Sequence, residues 1–302
     1  FAELNYNLFF YSYIPGYVIS DMNGFGHFLK PITWFNVYWL SLGAVFLVIG
    51  NLFWNRGIES GFKDRWKIAK QRLNGKSASA LTIFTVLWIG SGAFIYYNVS
   101  VLNVYRTNKE SKQINADFEK KYKKYEFDAQ PKITEVKVNI DIFPEERYTK
   151  ASGVFTLINK TKSPIDSLIL NIGSPISHTT IEKLTIDGQN STLVFEDKIN
   201  RFYIYTMPQT MLPEDTFKME IVMDARYKGF PNAGVSREIV YNGTFFDLGI
   251  FPSFGYPGDP MDSDKDRKKY GLPKKDYVAP PQTDVWGLSN LLFTDDSDYI
   301  TS

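Results

Sequence analysis

The sequence predicts an α plus all-β chain: a transmembrane helical hairpin followed by an antiparallel β-sandwich or saddle-like domain. Three observations carry this. Ile32–Trp54 and Ala80–Val104 hold 23 and 25 residues without a single charge, and about 20 apolar residues span the roughly 30 Å hydrocarbon layer of a bilayer. From Ile133 onward apolar and polar residues alternate with a period of two, the pattern of a half-buried strand. No strand–helix alternation and no Gly-rich phosphate loop points to a parallel sheet.

Residues 1–31 form an extracytoplasmic lead-in with one basic residue, Lys30. Residues 32–104 are the hairpin. Neither span keeps the polar face that a core helix of a soluble protein keeps, and aromatics gather near the ends: Trp34, Tyr38, Trp39, Trp54, Tyr96 and Tyr97, as in an interfacial belt. The connecting loop, 55–79, carries Arg56, Lys63, Arg65, Lys67, Lys70, Arg72 and Lys76 against Glu59 and Asp64. Seven basic residues against one before the first span place this loop in the cytoplasm, and both outer ends of the hairpin on the far side. Arg106–Lys124 is also basic, but long domains translocate largely regardless of charge. Within the loop Phe62, Trp66, Ala69 and Leu73 recur at helical spacing, so Phe62, Trp66 and Leu73 are the candidate membrane-interface residues of an amphipathic helix on an anionic surface. A docking helix for an ATPase subunit is the competing reading.

Residues 105–130 read as a polar connecting helix, Glu110–Tyr125, stopped by the Gln130–Pro131 step. Residues 131–302 form the β domain. Strand patterns fall at Ile133–Phe143, Gly153–Ile158, Ser167–Asn171, Thr180–Ile186, Phe202–Thr206, Thr216–Met223 and Arg237–Phe246. Turn signals at Asn159–Thr161, Asp187–Gly188, Pro213–Asp215 and Pro231–Asn232 separate them. A Pro/Gly/charge-rich stretch runs from Phe251 to about Asp284, and strand-like residues return at Asp298–Thr301. Phe in place of Met at position 1, and a strand pattern at the very end, lead to the expectation of a piece of a longer chain.

Composition excludes more chemistry than it offers. The 302 residues carry a net charge of +1, no cysteine and two histidines, His27 and His178. This removes disulfides, thiolate sites and a global basic field for nucleic acid. Asp262, Asp264 and Asp266 have calcium-loop spacing, but Arg267 stands where the loop needs glycine and Pro273 where it needs glutamate. They read as a solvated acidic turn. His178 has no nucleophile elbow to serve, Glu145 and Glu146 are adjacent rather than paired across a cleft, and the sequons at Asn98, Asn159, Asn190 and Asn242 read as chance. No catalytic residue is assigned.

The β half resembles the N-terminal saddle-shaped domain of zinc aminopeptidases of the aminopeptidase N type, peptidase family M-one. The resemblance is carried weakly by Val138–Pro144, Gly153, Pro164–Asn171 and Leu184–Gly188. It is carried more strongly by Tyr241–Phe246, Phe251–Tyr256 and Arg267–Pro273. With Asp21–His27 before a hairpin, the whole chain resembles fusion proteins of Bacteroidetes-type bacteria in which an ABC transporter permease continues into such a peptidase. The resemblance implies a bacterial inner-membrane, multi-pass chain with its β domain outside the cytoplasm and its own catalytic domain downstream. It also implies zinc in the full-length parent. The family's His-Glu-x-x-His helix and Gly-x-Met-Glu-Asn loop do not occur in this sequence, so the chain itself is expected to be non-catalytic. Its expected partners are the lipid bilayer, the downstream domain and an ATPase subunit at the loop. A transport subunit whose β domain binds without hydrolysis is the alternative.

Overall fold

The computed structural model describes residues 5–54, 61–172, 179–234, 239–241, 243–244, 251–275 and 300–301. The chain divides into two compact units: Phe1–Tyr105 with Lys228–Arg237, and Arg106–Tyr227 with Glu238–Ser302.

The first unit is helical. Helix α1 (Leu29–Phe53) and helix α3 (Gly75–Tyr96, prolonged by a π turn at Tyr97–Val101) pair as a hairpin, with α2 (Phe62–Arg72) between them. Both long helices are long and apolar enough to cross a membrane. Two polar residues buried in α3 and its π turn bond locally: Ser91 Oγ donates to the Leu87 and Trp88 carbonyls, and Asn98 Nδ2 to the Phe94 carbonyl. Helix α3 begins in a capping box, where Asn74 Oδ1 accepts from the Lys76 and Ser77 N–H groups and Ser77 Oγ accepts from that of Asn74. Such a cap contributes about 1 kcal/mol and fixes where the chain turns into the second helix.

At the end of the hairpin away from α2, the lead-in folds back onto the helices. Tyr6, Phe35, Ile95, Val99 and Phe230 form a buried cluster flanked by Leu8, Tyr13, Trp34, Tyr38, Phe94 and Tyr105. Trp34 stacks on Phe94 at 4.0 Å between centroids. Phe230 belongs to the ten-residue excursion after strand β8, which the sequence marks only by a Pro231–Asn232 turn. Gly229 stands at φ +57, and a Cβ there would come within 2.7 Å of the Asn98 side chain. Only glycine combines that backbone with that approach.

The second unit is a β-sandwich with a helix on one face. The larger sheet runs in the order β12 (Ile300–Thr301), β1 (Lys132–Phe143), β2 (Tyr148–Ile158), β8 (Thr216–Arg226), β4 (Thr179–Ile186), β5 (Gln189–Asn190). The smaller runs β11 (Ser253–Phe254), β3 (Ile165–Asn171), β7 (Phe202–Met211), β6 (Thr192–Asp197). A separate pair joins β9 (Ile239–Val240) to β10 (Gly243–Thr244). Neighbours are antiparallel except β12, which runs parallel to β1.

The two inner faces share one core: Val136, Phe155, Leu157, Met219 and Ile221 from the larger sheet against Ile165, Leu168, Leu170 and Met211 from the smaller. Truncating one such side chain to alanine costs about 2–5 kcal/mol. The β4–β5 hairpin turns at Asp187 (φ 47) and Gly188 (φ 78), both left-handed, which is the conformation the Asp-Gly signal supplies. Strand β7 runs to Met211 rather than stopping at Thr206, but it skips register between Thr206 and Met211 opposite Asp166. Pro208, which cannot donate to a ladder, falls in that break.

Helix α4 (Asn108–Tyr122) covers the outer face of the smaller sheet. Its Phe118 and Tyr122 pack against Ile169 and Phe202, with Tyr122 stacked on Phe202 at 4.2 Å. The sequence reads this helix as a polar connector. In the structure its Ala116, Phe118, Glu119 and Tyr122 are buried. The stretch Arg237–Phe246 appears as the short β9–β10 pair, with residues 235–238, 242 and 245–250 outside the described residues.

Candidate membrane-interface site

At 100° per residue Phe62, Trp66, Ala69 and Leu73 occupy one stripe of α2 about 60° wide. The structure places Phe62 and Trp66 on the helix and Leu73 at its C-terminal cap, where its N–H donates to the Ala69 carbonyl at 3.0 Å. Ala69 is buried, whereas Phe62, Trp66 and Leu73 are 74 %, 48 % and 45 % exposed. The helix is held to the end of α1 by its rings. Phe53 lies 6.4 Å from Phe62 and 5.8 Å from Trp66, centroid to centroid, and Phe62 stacks on Trp66 at 6.2 Å. Arg72 Nη1 donates to the carbonyls of Asn51 and Trp54, closing the C-terminus of α1. The last carbonyls of a helix lack the usual i+4 partners, the Asn51 carbonyl accepting also from the Trp54 N–H at 3.4 Å, and a cation there is favoured by the helix dipole.

The sequence stripe did not include Phe53, Trp54 or Arg72. Trp54 is exposed and Phe53 is the ring against which both α2 aromatics rest. Their signal was present as the aromatic end of the first span. Around this patch stand Lys63, Arg65, Lys67 and Lys70, with Asp64 as the acidic residue of α2. Lys70 Nζ sits 5.8 Å from the Trp66 ring centroid. Exposed rings ringed by cations at the end of an apolar hairpin have the composition that partitions into the interface of an anionic bilayer.

The acidic run folds otherwise than as a metal loop. Helix α5 (Asp264–Lys269) starts inside it, capped by Ser263 Oγ accepting from the Asp266 N–H. Each carboxylate meets a different lysine: Asp262 with Lys275 at 2.6 Å, Asp264 with Lys274 at 3.6 Å, and Asp266 with Lys112 at 2.7 Å. The ion pair to Lys112, the nearby Lys269 and the Ser263 hydroxyl hold the Asp266 carboxyl below its usual range, Lys112 contributing most. Arg267 points the other way, into the interior. Its Nη1 and Nη2 donate to both oxygens of Glu119 at 2.8 and 2.5 Å, its Nε to the Pro273 carbonyl, and Nη1 also to the Met261 carbonyl.

Among the described residues no three His, Cys, Asp or Glu side chains converge to hold a metal ion. His27 lies in the lead-in of the helical unit, and His178 lies outside the described residues. Among the described residues, then, no donor set for the zinc of the aminopeptidase family is brought together.

No family model matches the chain, and no curated protein sequence matches it. Among solved structures it is similar to an M1 zinc metallopeptidase from Deinococcus radiodurans, at 12 % identity over 32 % of this chain and 21 % of that one, with a TM-score of 0.27. A two-domain M1 zinc metallopeptidase variant bound to L-tryptophan is similar at 12 % identity over 34 % of this chain and 22 % of that one, again with a TM-score of 0.27. The matched part is about a fifth of the length of these neighbours, and a TM-score of this size establishes no common fold.

Proposed function

We propose that this chain is the membrane-anchoring and N-terminal β-domain portion of a permease–zinc aminopeptidase fusion in a bacterial inner membrane. It holds a downstream peptidase outside the cytoplasm and is itself non-catalytic. The observation that carries the reading is the union, in one chain, of a hairpin of two uncharged spans with a β-sandwich completed by segments that carry the family resemblance. Phe251 enters the sandwich core, and Ser253–Phe254 forms strand β11 beside β3. Tyr256 stacks on Phe118, Arg267 binds Glu119, and Leu272 packs on Ala116. These segments build architecture.

In this reading the basic loop is cytoplasmic, and α2 rests on the anionic inner leaflet. An ATPase subunit at the same loop is the further partner. Loss of a copurifying ATPase in Trp66→Ala would support that docking, and retention of the ATPase with α2 released from the membrane would remove it.

The test is to express the complete reading frame that contains this chain and to assay its membranes with an aminoacyl coumarin amide. The expected result is membrane-bound hydrolysis that a chelator abolishes and zinc restores, with no hydrolysis by this chain alone. A reading frame without a His-Glu-x-x-His helix, or membranes inactive with and without zinc, overturns the proposal in favour of a transport subunit that binds without hydrolysis.

A further inference from the structure

The lead-in is nearly free of charge, like the spans that follow it. From Asn5 to Phe28 the one charged residue is Asp21, and Phe9, Phe10, Tyr11, Tyr17, Val18 and Ile19 are all exposed, Tyr11 by 79 %. Soluble surfaces rarely carry so continuous an apolar run. Its position along α1 is equally telling. The Tyr11 ring lies 5.3 Å from that of Trp39, the Tyr13 ring 6.1 Å from that of Phe35, and Trp39 Nε1 donates to the Tyr13 carbonyl at 3.1 Å. Trp39 is about 21 Å along the helix axis from Phe53 at 1.5 Å per residue. If the hydrocarbon begins at Phe53, where Arg72 and the cations of α2 gather, a layer of roughly 30 Å leaves Trp39 about 9 Å inside the opposite boundary.

Irregular backbone at that depth needs its polar groups met within the protein, and the N–H groups of Asn7, Phe9, Phe10 and Tyr13 are bonded in this way. The Phe9, Phe10 and Tyr13 N–H groups donate to the carbonyls of Tyr6, Asn7 and Phe10. Asn232 closes the ends: its Oδ1 accepts from the Asn7 N–H at 2.9 Å, its carbonyl accepts from Asn7 Nδ2, and its Nδ2 donates to the Asn5 carbonyl at 2.7 Å. Tyr6 and Tyr105 bond to Ser100 and Asn5.

We propose that Tyr6–Tyr13 is a re-entrant segment whose Phe9, Phe10 and Tyr11 side chains lie among the phospholipid acyl chains of the outer leaflet, a second lipid contact at the opposite end of the hairpin from α2. The proposal rests on the membrane-spanning reading above.

Because the chain has no cysteine, single-cysteine variants report one site each. Phe9→Cys, Phe10→Cys and Tyr11→Cys would carry a nitroxide in phosphatidylethanolamine–phosphatidylglycerol vesicles. Leu40→Cys and Leu47→Cys, both exposed on α1, serve as bilayer references, and Lys183→Cys of the β domain serves as the aqueous one. The readout is collisional access of oxygen relative to a water-soluble nickel chelate. The expected ratio at Phe10 and Tyr11 is several-fold above that at Lys183 and of the order of that at Leu40. An aqueous ratio at Phe10 and Tyr11 with a lipid ratio at Leu40 and Leu47 overturns the re-entrant segment while leaving the hairpin. An aqueous ratio at Leu40 and Leu47 as well overturns the membrane reading itself. Low access to both probes at Phe10 and Tyr11 marks a protein cover and also overturns lipid as the occupant.

Discussion

Replacing Glu119 by alanine isolates the feature that joins helix α4 to the segment after the sandwich. The Arg267–Glu119 pair is bidentate, at 2.8 and 2.5 Å, with both side chains 1 % exposed. Removing the carboxylate leaves a buried guanidinium that still donates to the Pro273 and Met261 carbonyls, with Asp259 as the remaining anion at 3.8 Å. Breaking a buried pair from one side costs about 3–5 kcal/mol. Asp259 holds the expectation to the lower end, because it can relax toward the vacated charge. With a urea slope of about 2 kcal/mol per molar, a loss of about 3 kcal/mol moves the unfolding midpoint down by about 1.5 M. The assay is urea unfolding of the whole chain in micelles, followed by the far-ultraviolet β signal. Tryptophan fluorescence would report the helical unit, where five of the six tryptophans lie (Trp34, Trp39, Trp54, Trp66 and Trp88). The paired variant Glu119→Leu/Arg267→Met should recover more than half of the loss, since neither side chain is then a stranded charge. A Glu119→Ala midpoint within about 0.3 M of the parent, or a paired variant as unstable as the single one, would refute the reasoning.

Other expectations follow from the same packing. Asp197 is pushed upward by burial, but hydrogen bonds from Tyr122 and Asn200 and the nearby Lys121 outweigh this and bring its carboxyl down to about 2. A depressed carboxyl contributes stability that is complete above its unfolded value near 4 and is lost as pH falls toward 2. Tyr122→Phe raises the folded value, so acid unfolding should begin at a higher pH, as read by circular dichroism across a pH series. Asn159 is fully buried and ties the β2–β3 connection together, its Nδ2 donating to the Ser163 and Met211 carbonyls and its Oδ1 accepting from the Thr161 N–H and hydroxyl. Asn159→Ala strands several of these groups, and should cost about 2–3 kcal/mol in the same urea assay. Asn232→Ala removes the clasp on Asn5 and Asn7, and amide exchange at Asn7 should rise toward that of an unprotected chain, measured by mass spectrometry. Lys63→Gln/Lys67→Gln/Lys70→Gln should weaken the hold of α2 on anionic vesicles by about 1 kcal/mol per charge. A spin label in a Phe62→Cys background would then move toward the aqueous ratio.

Much of this architecture is legible in the sequence because its signals are local. An uncharged run of twenty residues needs no knowledge of its neighbours to be read as a span, and the alternation in Ile133–Phe143 or the Asp187–Gly188 turn is equally self-contained. What escapes is what depends on a distant partner. The buried stripe of α4 is narrow among lysines and glutamates, so Phe118 and Tyr122 gave no wide apolar face until Phe202 and Tyr256 were brought beside them. Strand β6 is an edge of its sheet, and its consecutive Leu193, Val194 and Phe195 show no period of two. Arg267 entered the sequence reading as the residue that spoils a calcium loop. Its role is set by Glu119, which stands 148 positions away. Likewise the Pro231–Asn232 turn is visible, but nothing local shows that Phe230 and Asn232 pack into the helical unit. At the candidate interface, Phe62, Trp66 and Leu73 are legible from helical spacing alone, whereas Phe53 enters only through its contact with them across the loop.

The central claim is that the hairpin spans the membrane with α2 inside and the β domain outside. In intact spheroplasts, Lys67→Cys in the loop and Lys183→Cys in the β domain can each be challenged with a membrane-impermeant maleimide, before and after permeabilisation. The account requires Lys183→Cys to react in intact cells and Lys67→Cys to react only once they are opened. Equal labelling of both positions in intact cells, or labelling of Lys67→Cys alone, would contradict it.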